Sequence, residues 1–268
     1  VLVASEFEEV TMIKMAREVE SGPPYWCAAF LVDGLLVDTG CAHTAPELVA
    51  FLGDKQVDVI VNTHYHEDHV GANRRMQDQR GVPIYAHPDS LPLIGSVPKL
   101  LPYREMIWGT PEASVGLAIP DVIQTRHLRF RVLHTPGHCR GHVSLVQPDR
   151  GWIFGGDTYV TGTPKAARPE EDVGQIVRDM RTLVELDCER LVLFDAIGSI
   201  VEDGRGALRD CSRYLVRVTG QVKELARQGL SPKEIREAMF GDETSLAILT
   251  QGDFSIENLV RSALRAEL

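Results

Sequence analysis

Residues 57–69 read Val57-Asp58-Val59-Ile60-Val61-Asn62-Thr63-His64-Tyr65-His66-Glu67-Asp68-His69. Val57 to Val61 is an apolar, β-branched run, the pattern of a buried strand. It stops at Asn62-Thr63, and three histidines and two carboxylates follow within six residues. Histidine is scarce here, nine in 268 residues. Two more at those offsets from a first arise by chance on the order of once in a thousand. A loop at the C-terminal end of a strand can present such side chains together. Histidine holds a metal through a neutral ring nitrogen, and carboxylates compensate the charge. In an extended chain His64 and His66 share a face and can share one ion. Asp68 and His69 point elsewhere and can serve a second.

Further along lie two residues that complete such a centre. His138 stands in Leu133-His134-Thr135-Pro136-Gly137-His138, and Asp157 in Phe154-Gly155-Gly156-Asp157-Thr158. Each follows a predicted strand and a glycine, which lets the backbone turn sharply and aim the side chain. Either alone is a weak signal; beside the 64–69 cluster they supply the missing ligands. His134 and His142 flank the second segment and suit hydrogen-bonding to ligand histidines. Cys139 reads as a packing residue. Asp38, in Asp38-Thr39-Gly40, reads as a turn residue or a partner to a ligand.

The remaining pattern alternates strands and helices before becoming helical. Cys27 to Val32 and Leu35 to Val37 read as a hairpin punctuated by Gly34. A helix is predicted from Pro46 to Leu52, with Thr44 as N-cap, and another over 70–80 closed by Gly81. Val82 to Ala86 is a strand whose Pro83 suits an edge or an end. Residues 88–120 hold six of the fifteen prolines among large apolar residues. That connection, running on to residue 127, suits a pocket wall or a packed surface excursion. Strands are predicted at 128–133, 142–146, 152–154 and 191–194, and a helix over 173–184. From Asp210 the pattern is helical, with a capping box at Ser231-Pro232-Lys233-Glu234 and a cap at Ser255. This predicts an α/β fold, with residues 1–208 as a catalytic domain and 209–268 as a helical C-terminal extension.

Composition narrows the function. Hydrophobic residues make up 44% and charged residues 25%, the balance of a globular chain. The formal net charge of −10 repels phosphate backbones, so no nucleic-acid partner is expected. Five cysteines without a C-x-x-C pair suit reduced thiols and a cytoplasmic location. No apolar run reaches 18 residues, and the first ten carry three glutamates without a leader pattern, so no membrane association is expected.

With these motifs in place, the chain resembles the metallo-β-lactamase superfamily over about residues 25 to 200. The motifs that carry the resemblance are Asp38 in its Asp-Thr-Gly turn, H-x-H-x-D-H at 64–69, His138 in T-P-G-H and Asp157 in G-G-D. The resemblance implies an αββα sandwich, and the helical extension is similar to the glyoxalase II-like branch. It implies His64, His66 and His138 at a first metal, and Asp68, His69 and a bridging Asp157 at a second. One or two Zn²⁺ ions are implied, with iron or manganese as alternatives. A metal-bound hydroxide would attack a small thioester, ester or lactone, with Asp68 orienting the water or taking its proton. One departure stands out: Ala196 lies about where the family has a late histidine, and no histidine follows His142. That opens an alternative, a mononuclear iron oxidoreductase of the persulfide dioxygenase type. A third reading is a non-catalytic protein with a degenerate site. The tail can close a pocket, cap the core or pair with a second subunit as a homodimer.

Overall fold

The computed structural model describes residues 1–18 and 25–268. They divide into two units: Val1–His134 with Arg140–Gly156 and Cys188–Glu202, and Thr135–Cys139 with Asp157–Asp187 and Asp203–Leu268.

The first unit opens with strands β1 (Leu2–Phe7) and β2 (Val10–Met15), a hairpin that the sequence reading did not foresee. β1 is an exposed edge with little alternation, so periodicity hides it. β3 (Cys27–Val32) and β4 (Leu35–Val37) form the expected hairpin. Asp33 and Gly34 turn it with φ of 48° and 81°, the two-residue Asp-Gly connection whose twist matches the strands. Then come α1 (Ala45–Leu52), β5 (Val59–Val61), α2 (Asn73–Arg80) and β6 (Ile84–Ala86). Gly81 closes α2 in the left-handed conformation, as expected.

The proline-rich connection is more ordered than its composition suggests. It contains α3 (Leu91–Ile94), α4 (Pro102–Trp108) and β7 (Gly116–Ala118). Pro92 and Pro102 sit in the first turns of the two helices, where a missing N–H costs nothing. β7 pairs outside β6, so of the two positions that suit Pro83, an edge or an end, the structure shows the end. Pro83 precedes the strand, and its carbonyl accepts from Ile60 N at 3.0 Å.

The seven strands lie in chain order in one sheet, antiparallel from β1 to β4 and parallel from β4 to β7. A second sheet runs β13-β12-β11-β10-β9-β8. Its strands are β8 (Val122–Gln124), β9 (Arg129–His134), β10 (Val143–Gln147), β11 (Trp152–Gly156), β12 (Val192–Asp195) and β13 (Ile200–Val201). β3 is buried along both faces. Ala28, Phe30 and Val32 face the second sheet's Phe130, Leu145, Phe154 and Phe194. Cys27, Ala29 and Leu31 pack in the opposite layer with Leu48, Leu52, Met76 and Trp108 from α1, α2 and α4. That split is the period of two that a strand imposes. Phe154 and Phe194 stack at 4.8 Å, and Phe30 lies 5.5 Å from each.

The second unit is helical: α5 (Val173–Val184), α6 (Gly204–Arg227), α7 (Pro232–Phe240), α8 (Ser245–Leu249) and α9 (Ile256–Arg265). Ser231 forms the full capping box and Ser255 caps α9, as the sequence predicts. Val218, Val222, Ile235, Val260 and Ala263 share one apolar core. Two sheets with helices and a helical C-terminal extension are the fold class expected from the sequence. Among the described residues no helix is long and apolar enough to cross a membrane.

Candidate metal centre

β5 ends at Val61, and the loop beyond it carries the histidine cluster inward. His64, His66 and His69 are 0%, 4% and 0% exposed. His64 Nε2 and His66 Nδ1 stand 3.0 Å apart. Two nitrogens on one tetrahedral ion are about 3.3 Å apart when each bond is about 2.05 Å, so this pair fits an ion. The His69 ring centroid is 4.0 Å from that of His64, and Asp68 Oδ2 is 3.8 Å from His69 Nε2. Asp68 Oδ1 is buried with no hydrogen-bond partner among the described residues. An uncompensated buried carboxylate oxygen is costly, and a cation removes that cost. Each of the three histidines is a donor in a metal-capable cluster.

The loop is held from below. Asp38 is 2% exposed, with φ of 60°. Its carboxylate accepts from Thr63 N, Thr63 Oγ1 and His69 Nδ1, each at 2.8 Å. This fixes the His69 tautomer and leaves the Nε2 lone pair to face an ion. Asn62 and Asn73, both fully buried, exchange side-chain hydrogen bonds, and Asn62 Nδ2 also donates to the His69 carbonyl. Gly71 admits no side chain: a Cβ there would fall 2.2 Å from the Cys41 carbonyl carbon. Glu67 and Arg104, both buried, pair at 3.4 Å and tie α4 to the loop. The hydrogen bond with Cys27 brings the Cys41 thiol down to about 7, and the same contact raises Cys27. His142 packs against His64 with ring centroids 5.0 Å apart. His134 instead stacks on His87, at 4.2 Å and 4° between planes.

In the second unit His138 Nε2 lies 3.2 Å from Asp157 Oδ2. His138, Cys139 and Asp157 are donors in metal-capable clusters, so Cys139 is a candidate that the packing reading passed over. The His138 loop is docked on the start of α5. Gly137 N donates to Asp179 Oδ2, and Asp172 N donates to the Gly137 carbonyl, both at 2.8 Å. A Cβ on Gly137 would lie 2.4 Å from Ile176 N, so only glycine allows that approach. Glu171 Oε1 lies 3.1 Å from His138 Nδ1.

Where the family's late histidine was expected, Ala196 is 5% exposed. The neighbouring Asp195 carboxylate accepts from Ser199 N at 2.7 Å and so closes its own turn. Sequence reasoning missed Asn62, Asn73, Arg104 and Glu171. A polar residue directly ending an apolar run marked Asn62, but nothing local marked the others.

Comparison with known proteins bears on the family and the fold. The profile of the metallo-beta-lactamase superfamily matches residues 27–195. An uncharacterized Aquifex aeolicus protein is 29% identical over 60% of this chain and 77% of its own length. A Synechococcus hydroxyacylglutathione hydrolase is 31% identical over 47% of this chain; the chain spans only 44% of that relative. A metallo-beta-lactamase family protein from Thermus thermophilus, 17% identical, shares the fold with a TM-score of 0.67 over 95% of this chain and 93% of its own.

Proposed function

This chain belongs to the metallo-beta-lactamase superfamily, and from that premise we propose that it is a metal-dependent hydrolase of small thioesters, esters or lactones. The observation that carries the reading is the buried His64–His66 nitrogen pair beside Asp68, whose Oδ1 is buried without a hydrogen-bond partner among the described residues. Hydroxyacylglutathione hydrolases among the relatives support the glyoxalase II-like branch and thioesters as the first class to assay. Five cysteines, none in a C-x-x-C pair, support a reducing compartment such as the cytoplasm.

The residues that would hold metal are His64, His66 and His138 for one ion, and Asp68, His69 and Asp157 for a second. Zinc is the proposed metal, because imidazole and carboxylate donors suit it. When bound, such an ion acidifies water and polarises a carbonyl oxygen. The chain's own residues do the rest. Asp38 holds the His69 ring by its Nδ1–H. The His64 and His66 rings are fixed by burial, which keeps the donor geometry ready. Asp68 Oδ1 orients the attacking water and accepts its proton, the positioned-base role of a carboxylate.

A second reading has its own support. Ala196 offers no donor, and the Asp195 carboxylate is bonded within its own turn. A second ion with fewer ligands is held more weakly, which favours a mononuclear centre and, with iron, persulfide oxidation. Metal analysis of protein purified without chelators separates the two. About two zinc per chain with thioester hydrolysis supports the hydrolase. About one iron per chain with persulfide-dependent oxygen uptake overturns it.

A further inference from the structure

The tail does more in the second unit than fill a core. α9 presents Leu259, Val260, Ala263 and Ser262 as buried residues. Ser262 is a hydroxyl in an apolar stripe, 2% exposed. It accepts from Val173 N at 2.9 Å and donates to the Glu171 carbonyl at 2.7 Å. One hydroxyl thus uses both of its roles on the turn that starts α5. The beginning of α9 is fastened to the same stretch. Ala167 N donates to the Ser255 carbonyl at 3.0 Å, and Ser255 N donates to the Ala167 carbonyl at 3.1 Å. The end of the tail closes on it too, with Arg178 Nη1 donating to the Glu267 carbonyl at 2.6 Å. The side chain on the braced turn is Glu171, whose Oε1 meets His138 Nδ1 at 3.1 Å.

We propose that the helical extension positions a metal ligand: α9, through Ser262, holds the 171–173 turn so that the Glu171 carboxylate orients the His138 imidazole. The inference rests on the reading of His138 as a ligand. A carboxylate on Nδ1–H selects the tautomer whose Nε2 lone pair faces the ion and fixes the orientation of the ring. Glu171 and Ser262 are therefore positioning residues. Neither was singled out by the motifs, because the turn and α9 are some ninety residues apart in the chain.

The test measures Zn²⁺ affinity of the metal-free full chain by competition with a chromophoric chelator. It also reads the His138 tautomer by nitrogen NMR of the same sample. Wild type is expected to hold His138 as the Nδ1–H tautomer. Glu171→Ala is expected to loosen Zn²⁺ by about 10–100-fold and to shift the ring towards Nε2–H. Glu171→Gln keeps an acceptor and is expected to restore the tautomer and most of the affinity. Ser262→Ala is expected to move both readouts the same way by a smaller factor, and Ser262→Thr to keep them. If E171A leaves affinity and tautomer at wild-type values, the proposal fails. If E171A changes them and S262A does not, the part assigned to the tail fails. His138→Ala is the reference: unchanged zinc affinity in H138A overturns the ligand reading itself, a different result from either.

Discussion

Asp38 shows how one residue sets up a donor it does not replace. Its carboxylate takes three hydrogen bonds, two from Thr63 and one from His69. Asp38→Ala removes the group that selects the His69 tautomer, and a metal affinity about 10–100-fold weaker is expected in chelator competition. It also strands the buried Thr63 amide, so denaturant unfolding is expected to show a loss of about 1–3 kcal/mol. A variant that lost stability but kept its affinity would make Asp38 a turn residue only. At this scale the sequence was informative where chemistry is local. The spacing of His64, His66, Asp68 and His69 is readable because all four lie on one short loop. Asn62 and Asn73 are eleven residues apart, and only the folded loop brings them together. Glu171 carries no local signature, since acidic residues at helix starts are common and most are capping or solvated.

Among the elements, the β3–β4 hairpin was legible from two apolar runs punctuated by Gly34. Its tertiary role was not. Asp33 accepts from Thr125 Oγ1, His127 N, His127 Nδ1 and Leu128 N, all in the connection between β8 and β9. Burial pushes this carboxyl up, but hydrogen bonds from Thr125 and His127 outweigh it and hold Asp33 at about 2. A carboxyl lowered by folding stabilises above its unfolded value, near 3.9, and loses that contribution as pH falls through its folded value. Asp33→Ala is therefore expected to lower the unfolding free energy by about 1 kcal/mol at neutral pH, a figure discounted for solvent screening. The gap to wild type should narrow between about pH 4 and pH 2 in parallel denaturant titrations. A gap that stayed constant across that window would show that packing, not charge, joins the two turns. Short strands were the hardest elements to read. β7 and β8 span three residues each, too few for a period to register. The prolines of the 88–120 connection read as punctuation, although Pro92 and Pro102 lie in the first turns of helices.

For the whole molecule, fold class came from the order of motifs along the chain, while the sandwich core could not. Phe30, Phe154 and Phe194 meet across more than a hundred residues of sequence, and no window of the chain contains that contact. The same separation makes the centre a matter of linkage. A ligand that binds the folded chain alone stabilises it by RT ln(1 + [L]/Kd), about 2.7 kcal/mol at a hundredfold excess over Kd. The unfolded chain keeps only the 64–69 cluster in close sequence, so its affinity for zinc is expected to be far below that of the fold. At about 2–4 °C per kcal/mol for a chain of this size, saturating zinc should raise the melting temperature by roughly 5–10 °C. A chelator should return it to the metal-free value. His64→Ala removes a donor from the buried nitrogen pair and should abolish most of the shift, while its metal-free melting temperature moves little by comparison. A zinc-induced rise that H64A retains in full would mean that the stabilising ion sits elsewhere, and the centre at the end of β5 would lose its claim to the metal.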